Sequence, residues 1–369
     1  MKIETVELIQ VSLPLLRPFR TSSSVKTHIE HILVRAEADG FVGWGETASP
    51  ADPYYCPETV ETCWHILKDF LAPSVLGKEW GSIEALRRLY GTVKGNNFAK
   101  SGLEMAAWDI VAQREGKPMH QLLGGSRPAI LSGVSLGIED KIENLLALIE
   151  KYVGEGYRRV KLKIGPGKDV DVIREVRKHF PDTPLMADAN SAYTLADIPM
   201  LKALDEFGLT MIEQPLSHDD IIDHAQLQRA IETPVCLDES IHSAEDARKA
   251  IDLGSCRVIN IKVSRVGGLA EARHVHDVCA ERGVPVWCGG MHEFGIGRAA
   301  NIAIASLPNF SIPGDISGSD KYYAEDLVDP VIIAPNGAIA VPQSAGLGYA
   351  VNEGRVRRNA SRSLTLRAG

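Results

Sequence analysis

Five charged residues in the second half of the chain stand at nearly equal steps, each closing a short apolar run. The runs read Val160-Lys-Leu-Lys163, Leu185-Met-Ala-Asp188, Met211-Ile-Glu213, Val235-Cys-Leu-Asp238 and Ile259-Asn-Ile-Lys262. Their closing charges are 25, 25, 25 and 24 residues apart. An apolar run this short, bounded by turn chemistry, is a buried parallel strand. A charge at the carboxyl end of such a strand lies where an α/β barrel keeps its chemistry. The repeat therefore predicts a lysine, three carboxylates and a second lysine around one mouth.

Alternation begins near residue 130 and passes through strands near 131–137, 160, 184, 210, 235, 257, 284 and 310. Eight strands suit a closed barrel better than an open doubly wound sheet, and no GxGxxG follows any of them, so a dinucleotide site is not supported. Residues 1–125 lack the rhythm. They read as two or three strands, with Asp39-Gly40 turning before Phe41, then helices over 59–71 (stopped by Pro73), 82–90 and 99–115. The expected organisation is α/β: an α+β domain over 1–125, a (β/α) barrel over 126–330, and a segment 331–369 that returns to the first domain.

Composition narrows the partners. With 369 residues, 44% of them hydrophobic, the chain has enough material for a barrel of about 250 residues and a smaller domain. A net charge of −8 argues against nucleic acid. Six cysteines without CxxC spacing read as reduced thiols, and the start lacks an apolar leader. A cytoplasmic enzyme acting on a small molecule, with no membrane partner, is the expectation.

Hard oxygen ligands from Asp188, Glu213 and Asp238 suit Mg²⁺, whereas zinc would call for His or Cys. A lysine acting as base must bring its pKa from near 10.4 to about 7–8, which corresponds to roughly 4 kcal/mol. A divalent cation and a second ammonium would supply that by repulsion, and Lys161, on the same face as Lys163, is placed to be the second. Such a site suits removal of a proton α to a carboxylate, because the ene-diolate has two oxygens for a metal.

Specific motifs now carry a resemblance. Lys161-Leu-Lys163, Asp188-Ala-Asn190, Glu213-Gln-Pro215, Asp238-Glu-Ser240 and Lys262 resemble the muconate-lactonizing-enzyme branch of the enolase superfamily. Arg265-Val-Gly-Gly268, the run from Gly289 to Arg298, the run from Ser311 to Ser317 and the run from Ala99 to Trp108 are similar to the o-succinylbenzoate synthase / N-succinylamino acid racemase family. The resemblance implies a capping α+β domain, formed by both termini, over a modified TIM barrel. It implies Mg²⁺ on Asp188, Glu213 and Asp238, with Mn²⁺ or another divalent cation able to substitute. Lys163 and Lys262 would stand on opposite faces of the substrate α-carbon.

Dehydration to o-succinylbenzoate, a step of menaquinone biosynthesis, and racemisation of N-succinyl- or other N-acylamino acids would use the same two lysines. Dipeptide epimerase and muconate cycloisomerase share the mechanism. A non-catalytic ligand-binding barrel would not need two bases, and a phosphate-binding isomerase would want a clearer Gly-rich loop than Gly289-Gly290. Ser135, Asn190 and Asp315 are expected as substrate contacts or supporting groups. Alternation points Glu239 away from the metal, behind Asp238. Cys288 and Met291 are expected to line the pocket. His292 and Val263-Ser264 depart from the family pattern. The polar stretch 17–27 is expected to be a loop that closes over the site, with Phe19 against the substrate. A homo-oligomer is also expected.

Overall fold

The computed structural model describes residues 1–20, 25–167 and 169–369. Within the expected lid stretch, residues 21–24 lie outside the described residues. The rest of that stretch is more regular than a loop. Strand β1 (Ile3–Arg20) pairs antiparallel with β2 (Val25–Ala38), and the pairing still holds Phe19 opposite Lys26. Asp39 and Gly40 both take positive φ (51° and 81°), which a two-residue turn into β3 (Phe41–Glu46) requires. The C-terminal strand Ala360–Arg367 adds to the far side of β1, giving a four-stranded antiparallel sheet. The helix Asn97–Arg114 lies close against this sheet, since a Cβ on Gly45 would land on the Gly102 carbonyl.

Pro73 does not stop the first helix. The chain runs from Val60–Ile66 through a π-turn, Leu67–Leu71, into Ala72–Val75. There the Ala72 N–H reaches back to the Leu67 carbonyl, and the widened turn accommodates a ring that a regular ladder would exclude.

Strand β4 (Ala129–Leu131) pairs with Ala338–Ala340, so the tail first crosses beneath the barrel before its end reaches the capping sheet. The barrel sheet then runs in sequence order: β5 (Val134–Leu136), β6 (Val160–Lys163), β7 (Leu185–Asp188), β8 (Ile212–Glu213), β9 (Val235–Leu237), β10 (Val258–Ile261) and β11 (Val286–Cys288), each parallel to the next. The expected eighth strand is not regular. Phe310 bridges Val286 and Gly314 bridges Ser132, closing the ring, while Pro308 just before this stretch and Pro313 within it interrupt the donor row. A modified TIM barrel under an N-terminal cap is the result.

Residues of β6–β10 facing outward, such as Val160, Leu162, Ile259 and Ile261, are fully or almost fully buried beneath the helices. Inward-facing Met186, Met211, Cys236, Val258 and Trp287 fill a separate cluster inside the ring. One layer above it, at the carboxyl ends, stand the charges. Among the described residues no helix is long and apolar enough to cross a membrane.

Candidate active site

Strand register fixes the first part of the site. Lys163 lies opposite Asp188, and Asp188 opposite Glu213, so the ends of β6, β7 and β8 set three charges in one row. Below them Lys161 rises from β6 with its ammonium 5.0 Å from the Trp287 ring centroid, and the Arg159 guanidinium lies 4.8 Å from the same ring. Lys161 Nζ is 2.6 Å from Asp315, 2.9 Å from Glu213 and 3.2 Å from Asp188. Asp315 also receives Arg159 at 2.6 Å. The structure thus makes Asp315 the holder of Lys161 and Arg159.

Lys163 donates to Asp188 (2.7 Å) and to the Asn190 side-chain carbonyl (2.6 Å). Asn190 in turn donates to Glu239 (3.1 Å). Strand β9 ends at Leu237, so alternation no longer governs residue 239; Glu239 faces the same cavity as the lysines, with its second oxygen buried and unpartnered among the described residues. The expectation that it points away is corrected on that ground.

Lys262 donates to Asp238 (2.7 Å) and to the Tyr55 hydroxyl (3.0 Å), and its ammonium lies 4.4 Å from the Tyr55 ring centroid. Tyr55 donates to Asp238 as well, and Arg265 pairs with the same carboxylate. Tyr55 comes from the cap, some two hundred positions away, and sequence reasoning missed it; one tyrosine in an irregular stretch carries no periodic signal. Arg159 was missed for a similar reason, since it precedes β6 and outside its fold looks like a surface arginine.

Burial opposes the charge on Lys161, but Asp315, Glu213 and Asp188 outweigh it and hold the ammonium well above the ordinary lysine range. Burial likewise opposes the charge on Lys262, and Tyr55, Glu239 and Glu213 outweigh it. With these carboxylates beside them, both side chains stand as ammonium ions. Asp188 is held well below the usual carboxylate range: burial works against it, and the Lys163 and Lys161 ammoniums prevail. Glu213 is pushed up, first by burial and then by the charge of Asp188.

These acids have the donor chemistry a divalent cation takes, although ammonium groups stand between them. Among the described residues no three His, Cys, Asp or Glu side chains converge on one point as placed. Asp188 and Glu213 share Lys161, while Asp238 turns to Lys262, Arg265 and Tyr55. Two neighbouring buried carboxylates, one raised by the other, are nevertheless the repulsion that a shared cation relieves.

The mouth encloses a cavity of about 230 Å³. Ser135, Lys161, Lys163, Asn190, Glu239 and Lys262 line it, and Phe19, Met291 and Asp315 are among the other residues of its wall. The Phe19 ring meets His292 edge-on at 4.5 Å, and His292 meets Tyr322 at 5.2 Å. Burial drives the His292 imidazole well below its ordinary pKa, so it stands neutral in the wall. Cys288 does not line this cavity: it sits in the apolar core at the end of β11, on the face opposite Trp287.

Comparison with known proteins gives the same outline. Residues 3–124 match the mandelate racemase / muconate lactonizing enzyme N-terminal domain, and residues 144–355 match the enolase C-terminal domain-like family. An o-succinylbenzoate synthase of Geobacillus kaustophilus is 54% identical over 96% of this chain and 95% of its own length. An N-succinylamino acid racemase of Thermus thermophilus is 47% identical over 94% of each chain. The crystal structure of an enolase superfamily member from Listeria innocua, 39% identical, covers 100% of both chains with a TM-score of 0.97. The chain belongs to the mandelate racemase / muconate lactonizing enzyme family of the enolase superfamily.

Proposed function

We propose that this enolase superfamily enzyme removes a proton α to a carboxylate, serving as an o-succinylbenzoate synthase, an N-succinylamino acid racemase, or both. One observation carries the reading: Lys163 and Lys262 open onto one cavity, each held by a different strand-end carboxylate. The names of the two relatives support the pair of reactions, and their identities are similar enough that neither is preferred.

Each group then has a task. Lys163 takes the α-proton from one face. Lys262 either steadies the resulting ene-diolate by its charge, for dehydration, or returns a proton from the other face, for racemisation. Lys161, locked by Asp315 and resting on Trp287, stays charged and orients the substrate carboxylate. A divalent cation held by Asp188, Glu213 and Asp238, Mg²⁺ by their all-oxygen chemistry, would supply charge for the ene-diolate oxygens and free the lysines from their carboxylates. Phe19 and Met291 exclude water from the cavity.

A dipeptide epimerase would have to hold a free substrate ammonium. Asp315 is already committed to Arg159 and Lys161, which favours an N-acyl substrate over a free amine.

The deciding assay compares the succinyl-hydroxycyclohexadiene carboxylate precursor with N-succinylamino acids in D₂O, with Mg²⁺ and with chelator. We expect turnover or α-deuterium in at least one of them with Mg²⁺ and in neither with chelator. Absence of both in the presence of Mg²⁺ would refute the reading.

A further inference from the structure

Asn260 is a buried polar side chain that takes no part in the proton transfers. It stands on β10 two residues before Lys262, opposite Trp287 in the register with β11, and is fully buried. Its amide donates to Glu213 Oε1 at 2.7 Å, while Lys161 donates to Glu213 Oε2 at 2.9 Å. Glu213, on β8, is thus gripped from β10 on one side and from β6 on the other, one donor to each oxygen. The Asn260 Oδ1 has no hydrogen-bond partner among the described residues. A buried amide oxygen left unpaired costs about 1–3 kcal/mol, so the fold gains little from this residue beyond its hold on Glu213. The amide is also tightly seated. A Cβ on Gly289 would lie 2.3 Å from Asn260 Oδ1 and 2.7 Å from its Nδ2, and Gly289 has no positive φ, so space rather than backbone freedom calls for glycine there. The Asn260 backbone carbonyl accepts from Arg265 at 2.6 Å, and Arg265 pairs with Asp238.

We infer that Asn260 is a positioning residue that makes Glu213 a one-oxygen ligand and thereby favours a small cation, Mg²⁺, over a large one, Ca²⁺. The inference rests on the proposed function, which puts a divalent cation on Asp188, Glu213 and Asp238, and it adds how that cation is chosen. With Oε1 held by Asn260, Glu213 is left to offer Oε2, the oxygen beside the Lys161 ammonium that also reaches Asp188. Asp238 is restrained alike, since Arg265 and Tyr55 both hold its Oδ1. Mg²⁺ demands a near-ideal octahedron of oxygens at about 2.0–2.1 Å, whereas Ca²⁺ takes about six to eight at about 2.3–2.6 Å and accepts both oxygens of one carboxylate. A carboxylate tied at one oxygen suits the first ion and denies the second an extra ligand. Partners of this kind, one step behind a ligand, fix its orientation and so tune the metal.

The test is calorimetric titration of Mg²⁺ and of Ca²⁺ into the metal-free full chain, for wild type, Asn260→Ala and Gly289→Ala, with urea unfolding of each protein measured alongside. Wild type should prefer Mg²⁺. In Asn260→Ala the Kd for Mg²⁺ should rise about tenfold, the usual effect of removing such a partner, while the Kd for Ca²⁺ changes less. Gly289→Ala keeps the amide but pushes it off Glu213, and should shift the preference in the same direction. Should Asn260→Ala fail to fold, Gly289→Ala decides by the same ratio. A loss of stability with the ratio of the two constants unchanged overturns the inference, as does an equal loss for both ions or a wild type that prefers Ca²⁺. A wild type that binds neither ion refutes the proposed cation and this inference together. Mg²⁺ binding by the wild type with a ratio unmoved in the variants refutes the inference alone.

Discussion

Asp315 satisfies two buried cations at once, Arg159 and Lys161, and both rest on Trp287. Replacing it with Asn leaves two enclosed charges short of a partner. We expect Asp315→Asn to lose about 3 kcal/mol of unfolding free energy in denaturant titration, the usual cost of breaking a buried pair. A loss below the measurement error would show that the cluster does not depend on it. At this scale the sequence was partly readable. The closing charges of the apolar runs were visible because a strand end is a fixed place. Their partners were not, because Tyr55, Arg159 and Arg265 reach the acids through the folded chain. Nor was it legible that carboxylates at 2.6–3.2 Å would hold Lys161 and Lys262 charged.

Two helix starts tie the cap to the barrel. Glu46, at the end of β3, accepts from the Phe294 and Gly297 N–H groups at the start of the helix Gly295–Ala305, and His31 lies 2.6 Å from it. Glu104 accepts from the Ala270 N–H at the start of the helix Leu269–Glu281. Both helices follow mouth segments, one carrying Lys262 and the other Met291 and His292. A carboxylate at a helix N-terminus satisfies free donors and suits the helix dipole. We expect Glu46→Ala to cost about 2 kcal/mol by loss of buried hydrogen bonds, and to raise KM through the Met291 segment more than it lowers kcat. A change in kcat alone would contradict that division. Element types followed from periodicity, but two boundaries did not. Pro73 was read as a stop because a π-turn leaves no sequence mark, and the run near 310 was read as a strand because apolar content hides the prolines' missing donors.

Across the whole molecule, the seam between cap and barrel contains acids that resist ionisation. Burial raises Glu104 to about 7 despite Arg87, and raises Asp109 to about 6. A carboxyl whose folded pKa exceeds its unfolded value stabilises the fold most below the unfolded value, and that contribution disappears as pH rises through the folded one. For Glu104 the window runs from pH 4.5 to about 7, and its size is at most about 3 kcal/mol. Denaturant titrations at pH 5 and pH 8 should show wild type losing stability with rising pH more than Glu104→Gln does; equal slopes would exclude Glu104 as the source. The barrel rhythm and the tail's return were legible in the chain because both depend on local pattern. The seam was not, because Glu104 and Asp109 look like ordinary helix acids until the helix Asn97–Arg114 is packed between two layers. The central claim is that Lys163 and Lys262 serve opposite faces of one carbon. Its most direct measurement is α-proton exchange in D₂O from each enantiomer of an N-succinylamino acid, in Lys163→Ala and Lys262→Ala with Mg²⁺. The two-face account expects each variant to keep exchange from one enantiomer only, and a different one in each. Loss from the same enantiomer in both, or from neither, would contradict it.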